Sequence, residues 1–180
     1  MSVKISFIAP CYNEQDWIPR LLLSLNSCET TFEDLEFIVV DNNSTDRTVE
    51  VLWELVHVLK YKVRLVHEFK KGVSAARNTG GFVARGETLV FLDADNRITQ
   101  NFVDELFLVS SKERFCGATV RTLAEPGSIR GTLVFFILEF IKMVSPRPFG
   151  KSVAKREAFL MLVVLSNASS LEKMWPLLPV

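Results

Sequence analysis

Short apolar runs alternate with amphipathic stretches over the first two-thirds of this 180-residue chain. A short run that is apolar almost throughout is typical of a β-strand covered on both faces. Four such strands are predicted, at Val3–Ala9, Glu36–Val40, Lys62–His67 and Thr88–Leu92. Apolar residues recur at helical spacing in the segments between these runs, so a helix is predicted after each of the first three strands.

The three predicted helices differ in their start and stop signals. The first runs from about Asp16 to Ser27, and the second starts near Ser44–Asp46, where side chains suited to N-capping occur. The buried face of the second helix is predicted to carry Val49, Leu52, Trp53 and Val56. The third, Val73–Arg85, is rich in small residues that permit close packing on a sheet, and Gly86 is expected to end it.

Strands separated by helices of this length imply βαβ units and an α/β fold with a mostly parallel central sheet flanked by helices. Ligands of such sheets bind beyond the carboxyl ends of the strands. Pro10, Asp41 and Asp93 are each expected to follow a strand end. Three separate segments are therefore predicted to direct polar residues into one crevice.

The second half of the chain carries a weaker pattern. A helix is predicted at Asn101–Ser111, a strand at Phe115–Val120 and an apolar helix at Arg130–Val144. No stretch reaches the roughly 18 apolar residues of a membrane span, and the apolar run Val3–Ala9 is not followed by a signal-peptide cleavage segment.

Composition narrows the class of protein. Hydrophobic residues make up 48% and charged residues 23%, which is typical of one globular domain. The formal net charge is zero, so no broad field would hold nucleic acid, and any phosphate must be bound locally. Cys11, Cys28 and Cys116 lack metal-ligand spacing, and we expect three buried thiols in a reducing, cytoplasmic compartment.

The most specific chemistry lies in Asp93-Ala94-Asp95. Two carboxylates one residue apart at a strand end can face a common hard cation such as Mg²⁺ or Mn²⁺, which such carboxylates bridge to phosphates. A turn with two solvated aspartates is the alternative. The position after a buried strand, in the same crevice as Asp41, favours the cation.

Three further segments contribute candidate binding groups. The Asp41 carboxylate can accept hydrogen bonds from a base N–H or a ribose hydroxyl, although a helix-capping turn is the alternative. The segment Pro10–Glu14 offers the aromatic ring of Tyr12 and the carboxylate of Glu14, or is a polar turn. Arg77 can reach a diphosphate or a base, or is a surface arginine. His57 and His67 have no metal-like partners and are interpreted as structural.

Taken together, these segments resemble family-2 glycosyltransferases. The similar blocks are ISFIAPCYNE at Ile5–Glu14, FIVVDNNSTDRT at Phe37–Thr48 and GVSAARNTGGFVARGETLVFLDAD at Gly72–Asp95. Their order and spacing also match, and the resemblance runs from Val3 to about Leu162. Several ordered blocks are much more specific than one pair of aspartates.

The resemblance implies a Rossmann-like GT-A fold, a nucleotide-diphosphate sugar donor (a UDP-sugar is favoured), a divalent cation (Mg²⁺ or Mn²⁺) and transfer with inversion to an unknown acceptor. Carried over by position, the nucleotide-sugar-binding residues are Pro10, Tyr12, Glu14, Asp41, Arg77, Asp93 and Ala94. Asp93 would face both ribose and metal. Asp95 would be the principal metal ligand.

The resemblance stops near Leu162. The family pattern continues with Gly-Gly-Phe and then an acidic pair that supplies the catalytic base, whereas this chain reads on from Val163 without either block. Glu172 lies at roughly the right distance but lacks a following aspartate. The domain is therefore placed at 1–162 and a divergent tail at 163–180. A one-base frameshift near Leu162 is our hypothesis, with a short paralogue and a natural pseudogene as alternatives.

Two functions follow from this divided pattern. The chain is a metal-assisted glycosyltransferase, or it is a catalytically inactive nucleotide-sugar-binding module that lacks the base. A nucleotidyltransferase is disfavoured because no glycine-rich, basic loop follows the first strand. Loss of the acceptor side would expose apolar surface, so dependence on a partner protein or peripheral contact with a membrane is also expected.

Overall fold

The computed structural model describes residues 3–113, 115–119 and 152–163. Within them, the strands are β1 (Ile5–Cys11), β2 (Leu35–Asp41), β3 (Lys62–His67), β4 (Thr88–Phe91), β5 (Gly117–Thr119) and β6 (Ser152–Lys155). They form one sheet in the order β3-β2-β1-β4-β6-β5. The first four strands are mutually parallel, and β6 runs antiparallel to β4 and β5. The predicted mostly parallel sheet is confirmed.

Helices cover both faces of this sheet. They are α1 (Ile18–Asn26), α2 (Thr48–Leu55), α3 (Val73–Val83) and α4 (Gln100–Ser110), with short 3₁₀ turns at Phe32–Asp34 and Val56–Val58. Residues 156–163 are also helical. The α/β class and the flanking helices therefore agree with the sequence pattern.

The two faces of the sheet pack into separate hydrophobic cores. Phe7 and Phe37 stack with ring centroids 5.9 Å apart, on the face covered by α1, α2 and α4. Ile8 and Ile38 lie on the opposite face, against α3 and Phe159. All seven positions of β1 and of β2 are buried, which explains why these strands read as continuous apolar runs and not as alternating ones.

Helix α3 lies unusually close to the sheet because its buried face is made of small residues. A Cβ on Gly80 would overlap Cγ2 of Ile8 and lie 3.0 Å from Cγ2 of Val40. A Cβ on Gly81 would overlap the ring of Phe159. The interpretation of this helix as a close-packing one is therefore confirmed.

The start of α2 and its buried face differ from the prediction. The helix begins at Thr48, and Ser44 does not cap it: the Ser44 hydroxyl instead accepts a hydrogen bond from the Asn13 N–H at 3.0 Å. The Asp46 carboxylate accepts from the Thr48 N–H at 3.0 Å. Trp53 is 53% exposed, because only the face that carries Leu52 reaches the core.

Two other expectations need correction. Helix α3 ends at Val83 and Ala84 is extended, so Gly86 does not terminate it. A Cβ on Gly86 would instead collide with the backbone of Ser6, so this glycine permits close approach to β1. Cys116 is exposed and not buried. Strand β6 had no sequence signal, and the apolar helix predicted at Arg130–Val144 lies outside the described residues.

A buried carboxylate joins the amino ends of the strands. Glu36, 3% exposed, accepts hydrogen bonds from the Ser6 hydroxyl at 2.7 Å and the Arg85 N–H at 2.6 Å. Its other oxygen pairs with the Arg64 guanidinium at 3.2 Å. Arg64 also donates to the Val83 carbonyl at 2.9 Å, so the end of α3 is tied to this edge of the sheet.

Candidate nucleotide-sugar site

The carboxyl ends of β1, β2 and β3 lie side by side. Cys11, Asp41 and His67 are the last residues of these strands, and Asp41 is in register with both of the others. Because register partners on parallel neighbours point to the same face, the Asp41 and His67 side chains meet beyond the sheet. This is the edge at which ligands of open α/β sheets bind.

Two asparagines in the left-handed region shape the loops at this edge. Asn13 has φ 58° and Asn43 has φ 67°, a conformation that asparagine tolerates better than most residues. The Asn13 side-chain oxygen accepts from the Thr45 N–H at 2.8 Å. The Glu14 N–H donates to the Thr48 hydroxyl at 2.8 Å. These bonds join the loop after β1 to the loop after β2.

Asp41 is held at both carboxylate oxygens. Oδ1 accepts from the Ser44 N–H at 3.2 Å, and Oδ2 lies 3.3 Å from Nδ1 of His67. Asp41 is only 5% exposed. The bond to Ser44 forms a turn but not the helix cap that was the alternative, because α2 begins only at Thr48, so Asp41 stabilises the loop and also lies at the crevice.

Asn42 fixes the segment that leaves β3. Its amide donates to the carbonyls of Glu68 at 2.7 Å and Lys70 at 2.9 Å, and its oxygen accepts from the Gly72 N–H at 2.8 Å. Gly72 has φ 131°, which side-chain-bearing residues rarely adopt. The loop therefore has a defined path from β3 into α3, the helix that carries Arg77.

Arg77 and Asp93 form an ion pair across the crevice. Nη2 of Arg77 lies 2.5 Å from Oδ1 of Asp93, which follows β4 by two residues. The Nε of Arg77 is buried and has no hydrogen-bond partner among the described residues. The bond to Asp93 uses one N–H of the guanidinium, so donors on its terminal nitrogens remain for an anionic ligand.

Asp95 differs from Asp93 in having no partner. Its side chain is exposed and makes no hydrogen bond or ion pair within the part of the chain that the structure describes. Ala94, between them, is 3% exposed and packs in the core, so it holds the turn in place. Asn96 closes the turn by donating to the Asp93 carbonyl at 2.7 Å.

Negative charge accumulates around Glu14. Partial burial raises the pKa of Glu14, and the carboxylates of Asp95, Asp46 and Asp93 raise it further. The same region affects Cys11, where burial and then the nearby carboxylates raise the pKa of the thiol. Cys11 is therefore protonated and unsuited to nucleophilic chemistry. The crevice is a site of uncompensated negative charge.

The crevice at the strand ends thus contains an Asp-x-Asp turn, a facing arginine and a buried strand-end aspartate. The sequence that forms it matches a known family over most of the chain. The sequence model described as "Glycosyl transferase family 2" matches residues 6–161. The chain belongs to this family.

Relatives share the family but are longer. The glycosyltransferase GlyA of Streptococcus pneumoniae is 32% identical over 104 residues, which cover 58% of this chain and 14% of GlyA. The poly(ribitol-phosphate) β-N-acetylglucosaminyltransferase TarS of Staphylococcus aureus is 32% identical over 110 residues, covering 57% of this chain and 19% of TarS. This chain therefore spans well under half the length of the curated relatives it matches.

Solved structures share the fold. The S. aureus TarS fragment 1–349 in complex with UDP-GlcNAc superposes with TM-score 0.58 and 26% identity, covering 69% of this chain and 36% of that one. The mannosyltransferase PcManGT of Pyrobaculum calidifontis, in complex with GDP-Man and Mn²⁺, gives TM-score 0.72 at 22% identity, covering 88% and 46%. The GT-A fold expected from the resemblance is confirmed.

The donor set in this family member suits a hard cation that is shared with phosphate. No cluster of three or more histidine, cysteine or acidic side chains with metal-site geometry occurs among residues 3–113, 115–119 and 152–163. Mg²⁺ characteristically takes only one or two carboxylates and fills its other positions with phosphate and water. The unpartnered Asp95 and the neighbouring Asp93 fit that requirement, and the excess negative charge at Glu14 favours a cation.

The remaining predicted site residues lie at the same edge with different exposure. Pro10 does not follow β1 but is buried inside it, opposite Val40. Tyr12 comes directly after the strand and is 51% exposed. Asp41 likewise ends its strand and does not follow it. The Tyr12 ring is therefore open to solvent at this edge, whereas Pro10 is part of the buried strand.

Sequence reasoning interpreted His67 as structural, but the structure places it beside Asp41. A signal was present: His67 ends the predicted strand Lys62–His67, and Asp41 directly follows Glu36–Val40, the strand predicted before it in the chain. What the sequence lacked was the register, which decides whether two strand ends are opposite each other. In the described residues, no helix combines the length and apolar character that crossing a membrane requires.

Proposed function

We propose that this chain binds a nucleotide-diphosphate sugar at the carboxyl ends of its parallel strands and transfers the sugar, with inversion, to an acceptor. The observation that carries the proposal is the turn beyond β4, where Asp93 pairs with Arg77 and Asp95 has no partner among the residues that the structure describes. One carboxylate is paired with an arginine and the other is open to solvent. This arrangement suits a diphosphate that binds together with its divalent cation.

The nucleoside would lie above the ends of β1 and β2. The carboxylate of Asp41 has unused acceptor capacity for a base N–H, since two in-chain donors leave room on an ionised carboxylate. The half-exposed ring of Tyr12 offers a flat apolar surface beside it. Pro10 and Glu14 complete this side of the pocket.

The diphosphate would lie between Arg77 and the turn at Asp93 and Asp95. These two aspartates would hold Mg²⁺ or Mn²⁺, which when bound stabilises the negative charge of the departing diphosphate. Arg77 can contribute the remaining N–H groups on the terminal nitrogens of its guanidinium to the same anion. We propose a UDP-sugar, supported by the UDP-GlcNAc complex of TarS, whose sequence is 26% identical to this chain, against 22% for the GDP-Man-binding PcManGT.

The general base of the transfer is assigned to no described residue. Glu172, the weak candidate from the sequence, lies outside the described residues. The alternative of a binding module without turnover therefore makes the same prediction for donor binding and differs only in the chemical step. We also propose a cytoplasmic location, supported by the free thiols of Cys11 and Cys28.

The test follows release of UDP from UDP-GlcNAc and other UDP-sugars with Mn²⁺, in the wild type, in Asp93→Asn and in the exposed control Glu105→Gln. Turnover in the wild type and the control, with a loss of at least about a hundredfold in Asp93→Asn, supports the transferase. Donor binding without turnover supports the binding module. Absence of both binding and turnover overturns the proposal.

A further inference from the structure

We propose that His67 is a positioning residue that fixes the Asp41 carboxylate for a nucleotide base bearing a ring N–H, such as uracil. The inference rests on the proposed function, because it concerns the base of the same donor. Its starting point is the 3.3 Å contact between Nδ1 of His67 and Oδ2 of Asp41.

The backbone makes this contact a fixed feature of the fold. Asp41 and His67 are register partners at the ends of parallel strands, and the Glu68 N–H donates to the Asp41 carbonyl at 2.9 Å. Asn42 then binds the carbonyl of Glu68 from the next position. The strand end that carries His67 is therefore anchored at Glu68, the residue immediately after the histidine.

The contact also defines the chemistry of the carboxylate. A carboxylate has no proton to donate, so the partner nitrogen of His67 must carry one, either in the neutral Nδ1–H tautomer or in the imidazolium. With the Ser44 N–H on Oδ1 and His67 on Oδ2, the carboxylate cannot rotate without losing a hydrogen bond. Its free lone pairs are thereby directed to a fixed place.

A fixed acceptor discriminates between bases. Uracil presents an N–H at ring position 3, whereas cytosine presents a bare acceptor nitrogen there. A buried carboxylate facing that nitrogen would have no hydrogen-bond donor and would be repelled by the nitrogen lone pair. Leaving a buried acceptor unpaired in this way weakens binding. Asp41 is 5% exposed, while the His67 side chain is 50% exposed, so the carboxylate is the buried member of the pair and the imidazole ring supports it from the solvent side.

The experiment compares the affinities of UDP and CDP, each with Mg²⁺, by titration calorimetry. His67→Leu removes the donor, His67→Asn keeps an N–H near the position of Nδ1, and His57→Leu is the control at an exposed histidine outside the site. We expect His67→Leu to weaken UDP binding about tenfold and to leave CDP binding unchanged, so that the preference collapses. His67→Asn should retain most of the preference.

The possible failures are distinguishable. If the wild type binds neither nucleotide, the proposed function fails and this inference falls with it. If the wild type prefers UDP and His67→Leu keeps that preference, the inference alone is overturned. Equal weakening of UDP and CDP in His67→Leu, without rescue by His67→Asn, also overturns it, because that is the behaviour of a structural residue.

Discussion

At the amino ends of the parallel strands the Glu36 carboxylate is matched by the Ser6 hydroxyl, the Arg85 N–H and the Arg64 guanidinium. At the carboxyl ends of the same strands only part of the negative charge is matched, through the pairing of Asp93 with Arg77. Asp95 has no partner in the described residues, and burial together with neighbouring carboxylates raises the pKa of Glu14. One sheet thus carries a compensated acidic edge and an uncompensated one.

The comparison distinguishes carboxylates that stabilise the fold from carboxylates that are available to bind a ligand. A buried charge is tolerated when donors surround it, so Glu36 ties strands and helix together. Like charges gathered without cations weaken the fold and favour whatever cation reduces their repulsion. The site can therefore be recognised from carboxylates whose negative charge is not balanced, as well as from the Asp-x-Asp spacing.

The largest expected effect comes from breaking the compensated edge. Glu36→Ala removes the acceptor for Ser6 and Arg85 and leaves Arg64 without its counter-ion, so we expect a loss of about 3 kcal/mol in the free energy of unfolding. Urea unfolding measures it, with the exposed Glu50→Ala as control. A loss below about 1 kcal/mol would show that this network is not a main support of the fold.

Moving the helix that carries Arg77 should have the next largest effect. In Gly80→Ala the new Cβ would overlap Ile8, so α3 must shift from the sheet, at a cost of about 2 kcal/mol. Asn78→Ala, exposed on the same helix, should change stability by less than about 0.5 kcal/mol. Equal thermal melts for the two variants would refute the close packing.

Breaking the uncompensated edge should alter binding and not stability. Asp95→Asn removes an unpartnered carboxylate, so the melting temperature should be nearly unchanged while Mn²⁺ affinity in the presence of UDP falls at least about tenfold, or about 1.4 kcal/mol. The free Mn²⁺ signal in electron paramagnetic resonance reports this affinity. Glu105→Gln is the control, and an unaltered affinity in Asp95→Asn would exclude Asp95 as a ligand.

The smallest expected effect tests whether the negative charge of Glu14 lowers the free energy of unfolding. Because the pKa of Glu14 is raised in the folded state, its ionisation destabilises the fold as pH rises through that pKa. Glu14→Gln should therefore stabilise the protein at neutral pH, by no more than about 0.5 kcal/mol, and give no gain near pH 4, where the wild-type carboxyl is protonated. Urea unfolding at the two pH values measures this. Destabilisation at neutral pH would contradict it.

The sheet was largely readable from the sequence because burial on both faces gives unbroken apolar runs, and β3 was predicted with its observed bounds. The start of α2 was misplaced because Ser44 serves a neighbouring loop, a long-range bond that no local pattern encodes. Trp53 was expected to be buried for its apolar character, but α2 presents only a narrow face to the core.

The candidate site was predictable as a set of strand-end residues but not as a set of contacts. Topology alone placed Asp41, Asp93 and Asp95 at one edge, whereas Arg77 was assigned to the diphosphate or base from its chemistry and the family resemblance. The pairing of Arg77 with Asp93, and of His67 with Asp41, depends on register and helix position. Ala94 shows a different limit of prediction from sequence. Its position between the two aspartates suggested a binding residue, whereas its side chain packs in the hydrophobic core.

The central claim is that the acidic edge binds a nucleoside diphosphate through a divalent cation. The most direct measurement is calorimetric titration of UDP into the wild-type chain with Mn²⁺ and again with a chelator in place of the metal. We predict binding with Mn²⁺ that weakens at least about tenfold without it, since the carboxylates then repel the diphosphate. Equal affinity under the two conditions, or no binding with Mn²⁺, would contradict the account.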